Sequence, residues 1–152
     1  MKFTSLLVAT ILVFASCEKE DDTPVNNPVN NTPSFTWEIL GGNSFSDNSP
    51  LVSINPFDVL TIDASSNSID IRIVIYNFSS RTSGDVVTLS SLGDKAYITQ
   101  NGTDYTDTQN GTFTFSEIGE SKFSGTFNFK CRELVYFQSV TVTDGQFSNI
   151  TY

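Results

Sequence analysis

The sequence predicts an all-β fold: an antiparallel β-sandwich, with a small up-and-down β-barrel as the alternative. From residue 34 onward, apolar and polar residues alternate with period two, which is typical of half-buried strands. Gly, Asn, Asp and Ser interrupt these segments at short intervals, and short connections favour antiparallel pairing because a parallel pair needs a long crossover. No segment of ten or more residues has helical spacing. Eleven of the 13 phenylalanines follow residue 33 and can fill the core of such a fold.

The N-terminal segment predicts a lipoprotein signal over residues 1–16. Lys2 precedes an apolar run over 6–14 that is too short to span a bilayer and suits the core of a secretory signal. Ala15 and Ser16 then precede Cys17, an arrangement that resembles a bacterial lipobox and implies diacylation of Cys17 and cleavage before it. Phe14 departs from the usual leucine. An ordinary secretory signal, with Cys17 present by chance, is the alternative.

Residues 17–33 predict an acylated cysteine followed by a disordered tether. The segment 18–22 is mostly acidic, and residues 23–33 are rich in Asn and contain three prolines, so no regular helix or central strand is expected. The acidic run resembles the surface-export signal of Bacteroidota lipoproteins, and a plain soluble linker is the alternative. We therefore expect an outer-membrane lipoprotein, bound to the membrane through its lipid and facing the cell surface, with the periplasmic face as the alternative.

Residues 34–152 form one predicted β-domain. In Ile69–Tyr76, four isoleucines share one strand face while Asp70 and Arg72 lie on the other. Phe113 and Phe115 alternate with polar residues in a later strand. The other predicted strands are 34–40, 50–54, 57–63, 85–92, 95–100, 103–107, 123–131 and 140–143.

Turn chemistry separates several of these strands. Asn101-Gly102 and Asn110-Gly111 each predict a two-residue hairpin turn, because both central residues must accept positive φ. Asp144-Gly145 predicts a bulge or turn that resets the alternation before Phe147. Cys131 continues the phenylalanine face of its strand, so we expect a buried apolar residue. With Cys17 acylated, Cys131 has no disulfide partner.

The C-terminal third resembles a known family. Gly111–Phe115, Phe123–Phe129 and Val140–Ile150 are similar to a family of small β-rich lipoproteins of Bacteroidota, in which a hairpin leads to a Ser-Gly-Thr-Phe strand and the chain ends in a Val-Thr-Val-Thr-Asn-Gly-type strand. The resemblance implies a β-rich lipoprotein domain. It implies no activity, because the family has no assigned function.

Composition excludes several functions. The chain has 17 acidic and 8 basic residues, a net charge of −9, and no histidine. Nucleic acid is not an expected partner, because such binding depends on neutralising phosphates with Lys and Arg. The missing histidine excludes His-dependent triads and His-ligated metal sites. No cofactor motif is present, so no cofactor is predicted.

Carboxylates are the only abundant chemical groups. A glycosidase needs two at a defined separation, but no motif pairs them here, and the acids near Gly119 are expected at an exposed turn. The candidates are Glu38, Glu117, Glu120 and Glu133. Asp104 and Asp107 are weak calcium candidates, with Asn101 and Asn110 nearby, but the segment lacks the order of an EF-hand loop. A solvated polar hairpin is favoured over a metal site.

Aromatic side chains offer a platform on which sugars could stack, although packing alone also enriches aromatics in strands. The candidates are Trp37, Tyr76, Tyr97, Tyr105, Tyr136 and Tyr152. The sequence therefore favours a non-enzymatic, lipid-anchored binding or accessory module for glycan or another envelope protein, with the ligand unknown. The alternatives are a structural envelope lipoprotein without a soluble ligand and a carboxylate-dependent glycan hydrolase.

Overall fold

A computed structural model describes residues 32–152. The predicted signal, Cys17 and nearly all of the predicted tether lie outside the described residues. Among the described residues, none belongs to a helix long and apolar enough to cross a membrane. The strands are β1 Ser34–Ile39, β2 Ser44–Asp47, β3 Leu51–Ile54, β4 Val59–Ser66, β5 Ile69–Tyr76, β6 Val86–Thr88, β7 Lys95–Gln100, β8 Thr103–Tyr105, β9 Asp107–Ile118, β10 Lys122–Arg132 and β11 Ser139–Thr151, with one 3-10 turn at Phe78–Ser80 after β5.

The strands form two antiparallel sheets packed face to face, which confirms the predicted sandwich. The six-stranded sheet has the order β2-β1-β11-β10-β9-β6, and the five-stranded sheet has the order β3-β4-β5-β7-β8. The two sheets do not close into a barrel. The chain crosses from the six-stranded to the five-stranded sheet after β2 and returns for β6. It then crosses again for β7 and β8, and it returns to the six-stranded sheet for β9, β10 and β11.

The two sheets contribute different side chains to the core. The six-stranded sheet supplies aromatic rings, such as Phe113 and Phe147, which stack with centroids 4.6 Å apart. The five-stranded sheet supplies branched aliphatic side chains, including the four isoleucines of β5, all buried as predicted. The flat rings of one sheet thus face the branched chains of the other in one shared core.

Turns and irregularities show where local sequence rules hold. Asn101 and Gly102 have φ angles of 51° and 80° and join β7 to β8, which confirms this hairpin turn. The prediction for Asn110-Gly111 is wrong: both residues lie inside β9, where Gly111 stands opposite Phe129. An added Cβ at Gly111 would lie 2.5 Å from Asn128 O and 2.6 Å from Phe129 Cβ, so the glycine allows the backbone of β10 to approach closely.

The predicted irregularity at Asp144-Gly145 is confirmed. Asp144 has a φ of 50°, and the pairing of β11 with both β1 and β10 shifts by one residue at this point. The shift returns Phe147 to the core. Strand β2 was not predicted, β6 is shorter than the predicted 85–92, and β9 extends back to Asp107.

Cys131 is fully buried, as predicted, on the inner face of β10. Its Sγ donates to the carbonyl oxygen of Ala96 in the opposite sheet at 3.0 Å. Burial raises the pKa of the thiol to about 12, so the group is neutral and inert at ordinary pH.

The six-stranded sheet has two distinct ends. At one end, the chain enters at Ser34, opposite Ser148, close to the turn between β9 and β10. At the other end lies the connection between β10 and β11, over residues 133–138. Along β11 the two ends are roughly 25–30 Å apart.

Candidate functional site

A concave surface lies on the outer face of the five-stranded sheet. Side chains alternate along each strand, so the residues that lie between the buried ones, such as Asp70 and Arg72 in β5, point to solvent. They enclose an open cavity of about 810 Å³, here called the outer-face cavity. Its lining includes Leu51, Asp63, Arg72, Tyr97, Thr99 and Asp104.

Two side-chain pairs hold the polar groups of this cavity in place. The Arg72 guanidinium donates two hydrogen bonds to Asp63 on the neighbouring strand, Nε to Oδ1 at 2.6 Å and a terminal nitrogen to Oδ2 at 3.2 Å. These bonds raise the pKa of Arg72 above its ordinary value. Thr99 Oγ1 donates to Asp104 Oδ1 at 2.7 Å. Since both pairs are partly exposed, they orient groups and add little to stability.

Tyr97 is the aromatic residue of the outer-face cavity. It stands opposite Arg72 in the β5–β7 pairing and is half-buried. Tyr76 lies on the same face, but it is at the far end of β5 and does not line the cavity. The cavity therefore presents one ring beside an oriented guanidinium and an oriented carboxylate, which suits a ligand with an apolar face and hydroxyl groups at its edge.

The other predicted platform aromatics lie elsewhere. Trp37 and Tyr105 are buried in the core. Tyr152 packs against Phe78, with centroids 5.0 Å apart. Tyr136 lies on the β10–β11 connection. The six aromatics thus form no single flat platform. Tyr97 lines the outer-face cavity, and Trp37 contributes to a smaller cavity of about 350 Å³ beside β1 and β2.

The candidate carboxylates are spread over the molecule. Glu117 and Glu120 line a shallow depression at the β9–β10 turn, while Glu133 lies at the opposite end of the six-stranded sheet. Glu38 accepts a hydrogen bond from Ser44 on β2 at 2.8 Å. The structure does not bring these four into one site.

The calcium candidates are engaged in other contacts. Asp104 accepts from Thr99, and Asp107 forms an ion pair with Arg132, with 2.7 Å between a terminal guanidinium nitrogen and Oδ2. Asn110 lies in β9 opposite Lys130. Within residues 32–152, no three acidic or cysteine side chains cluster closely enough to hold a metal ion.

A second surface is the connection between β10 and β11, here called the apical loop, residues 133–138. Its apolar residues are strongly exposed: Leu134 59%, Val135 68%, Tyr136 77% and Phe137 64%. The loop is nevertheless held in shape, because Glu133 N donates to Gln138 O at 2.9 Å across its base. Sequence reasoning missed this loop, although four consecutive apolar residues without alternation were a visible signal for it.

Phe137 carries backbone strain in the apical loop. Its φ of 57° is left-handed, a conformation that costs a bulky residue about 1–2 kcal/mol and that Gly or Asn would adopt more cheaply. The Arg132 guanidinium lies over the ring, 5.3 Å from its centroid. Exposure and backbone strain thus coincide at this ring, a combination that is typical of contact sites.

Comparison with known proteins yields no match: no family model, no curated protein and no solved structure is similar to this chain.

Proposed function

We propose that this protein is a lipid-anchored, non-enzymatic binding module on the surface of the outer membrane, and that its outer-face cavity binds glycan. The observation that carries the proposal is the cavity itself. Its volume of about 810 Å³ is in the range of ligand sites, and it places Tyr97 beside hydrogen-bonding groups that the sheet holds fixed.

The charges of the cavity favour a neutral glycan. Asp63, Asp70 and Asp104 line it together with a single basic residue, Arg72, so the lining is net acidic. An acidic polysaccharide would be repelled. A neutral sugar can lay its apolar face on Tyr97 and place hydroxyl groups against carboxylate and guanidinium.

The anchoring half of the proposal is supported by the N-terminal sequence. The lipobox-like residues before Cys17 imply acylation, and the 16 residues between Cys17 and Ser34 can extend up to about 60 Å. That reach would present the domain well away from the membrane. The resemblance to Bacteroidota lipoproteins agrees with this arrangement.

Glycan binding is tested with two tyrosine variants in the chain from residue 17 onward carrying Cys17→Ser. Affinity electrophoresis and calorimetry against neutral and acidic polysaccharides should give binding to a neutral one. Tyr97→Ala should weaken it at least about tenfold, because the stacking surface is lost. Tyr76→Ala is the matched control on the same sheet face and should change the affinity less than about twofold.

Three results would contradict this proposal. Equal losses for Tyr76→Ala and Tyr97→Ala would exclude the outer-face cavity as the site. The absence of binding to every polysaccharide would favour a structural envelope lipoprotein. Release of reducing ends from a polysaccharide would show a hydrolase.

Anchoring is tested separately with the full chain in cells. Cys17→Ser should move the protein from the membrane fraction to the soluble fraction, because no acyl chain can be attached. The thermal unfolding midpoint of the purified domain should stay unchanged. Protease treatment of intact cells should degrade the wild-type domain if it faces outward. A Cys17→Ser protein that stays with the membranes would refute the lipoprotein assignment.

A further inference from the structure

We propose that the apical loop is a self-association surface, on which a second copy of this chain docks through reciprocal insertion of Tyr136 and Phe137. The loop presents a projecting apolar part and, beside it, a cavity of about 440 Å³. This cavity, here called the apical cavity, is lined by Gly102, Thr103, Asp104, Thr106, Glu133, Leu134 and Val135.

The two parts are complementary in shape. Tyr136 and Phe137 do not line the apical cavity, so both rings remain free to enter a cavity on another molecule. In a two-fold symmetric pair, each copy can insert its rings into the other's cavity, which is the self-complementary contact that such symmetry requires. The volume of about 440 Å³ is enough for an aromatic ring.

The charged groups add a polar contact to this apolar one. The Arg132 guanidinium lies against the face of the projecting Phe137 ring and pairs with Asp107 of its own copy through Nε and one terminal nitrogen. Its other terminal nitrogen can donate to the carboxylates of Asp104 and Glu133, which line the second copy's apical cavity. Because Asp107 already offsets the charge of Arg132, this contact orients the pair and adds little affinity.

The area of the exposed apolar patch on the apical loop fits a weak homodimer. Four adjacent apolar side chains exposed to this degree form a patch on the order of 500 Å². Two such patches bury roughly 1,000 Å² in total, the lower limit for a specific interface, so a transient dimer is expected.

An acidic membrane surface is a poorer occupant for the same loop. The 13 acidic and 6 basic side chains of residues 32–152 oppose anionic headgroups and a second copy alike, which keeps the dimer weak and does not decide between the two. The position of the loop does decide. It lies at the end of the six-stranded sheet opposite the entry of the chain at Ser34, so a domain anchored through its N-terminus presents the loop away from its own membrane.

Sedimentation equilibrium of the chain from residue 17 onward, with Cys17→Ser, tests the proposal. The weight-average mass should rise from monomer toward dimer between roughly 10 µM and 1 mM. Phe137→Gly and Tyr136→Ser should each weaken association at least about tenfold. Phe137→Gly should also leave thermal stability unchanged or higher, because it relieves the left-handed backbone. Leu92→Ser, at a 97% exposed residue outside the loop, is the control and should associate like the parent.

Disulfide trapping then tests the geometry. Phe137→Cys and Thr103→Cys are made separately, and the buried Cys131 leaves the background silent. Under a mild oxidant, the mixture should form heterodimers faster than either variant forms homodimers. A parent chain that stays monomeric to 1 mM would overturn the proposal, even if it bound anionic vesicles or another protein. Association that the loop variants leave intact, or homodimers that form as fast as heterodimers, would also overturn it.

Discussion

At the scale of single residues, glycine in the six-stranded sheet serves aromatic packing. Gly125 lies on the inner face of β10, and a Cβ there would collide with the Phe147 ring and the Thr114 carbonyl oxygen. Gly145 stands opposite Phe127 and would collide with that ring in the same way. Because each glycine has no side chain, a ring from the adjacent strand can lie across it.

Gly125→Ala should therefore destabilise the domain by about 3 kcal/mol, because the collision involves backbone and a fully packed ring. Urea unfolding followed by circular dichroism measures the change. Gly119→Ala, at the β9–β10 turn, is the matched control, since its Cβ would meet only ordinary contacts, and it should cost less than about 0.5 kcal/mol. Equal effects of the two variants would refute the role assigned to Gly125.

At the scale of strands, the long β11 keeps its inner face in the core through two irregular residues, Asp144 and Asn149, which both have a left-handed φ. The pairing with β10 shifts by one residue at each of them. Val142 is buried before the first bulge, Phe147 between the two, and Ile150 after the second. A one-residue change in a strand moves the following side chains to the other face, so the bulge at Asp144 decides that Phe147 is buried.

Asp144→Val should cost about 1–2 kcal/mol, because a β-branched residue fits poorly at a φ of 50°. The free energy of unfolding in urea measures it. Thr143→Val, at the neighbouring residue whose backbone is not left-handed, serves as the control and should be nearly neutral. If the two substitutions cost the same, the conformation at residue 144 is not what determines the register.

At the scale of the whole molecule, the two sheets share one core and should unfold together. Trp37, the single tryptophan, is buried in the six-stranded sheet, whereas Ile73 is buried in the five-stranded sheet. Neither sheet can keep its inner face dry without the other, so a two-state transition is expected.

Ile73→Ala should lower stability by about 2–4 kcal/mol. It should also shift the Trp37 fluorescence transition by the same amount as the circular dichroism transition, although the substitution is in the opposite sheet. Asp70→Ala, on the exposed face of the same strand, is the control and should shift neither transition much. A Trp37 transition that Ile73→Ala leaves in place would show that the sheets unfold independently.

Much of the fold follows from local sequence. The isoleucine alternation of β5, the Asn101-Gly102 turn and the bulge at Asp144 were predictable because each depends on neighbouring residues alone. The Asn110-Gly111 turn was wrong because β10, a separate strand, pairs with β9 across this glycine and lies too close to it for a Cβ. Strand β2 escaped prediction because only one of its residues, Phe45, packs against the core.

The candidate site was less predictable because it also depends on contacts between strands that are distant in the chain. Sequence alone determined the strand alternation, and hence that Arg72 would lie on the face opposite the buried isoleucines. Only the tertiary structure decided that Tyr97 lies in a cavity while Tyr76 does not, and that the apical loop lies beside a cavity formed by the β7–β8 hairpin. Local sequence specifies which face of a strand a side chain occupies, but strands distant in the chain decide which residues and cavities lie against that face.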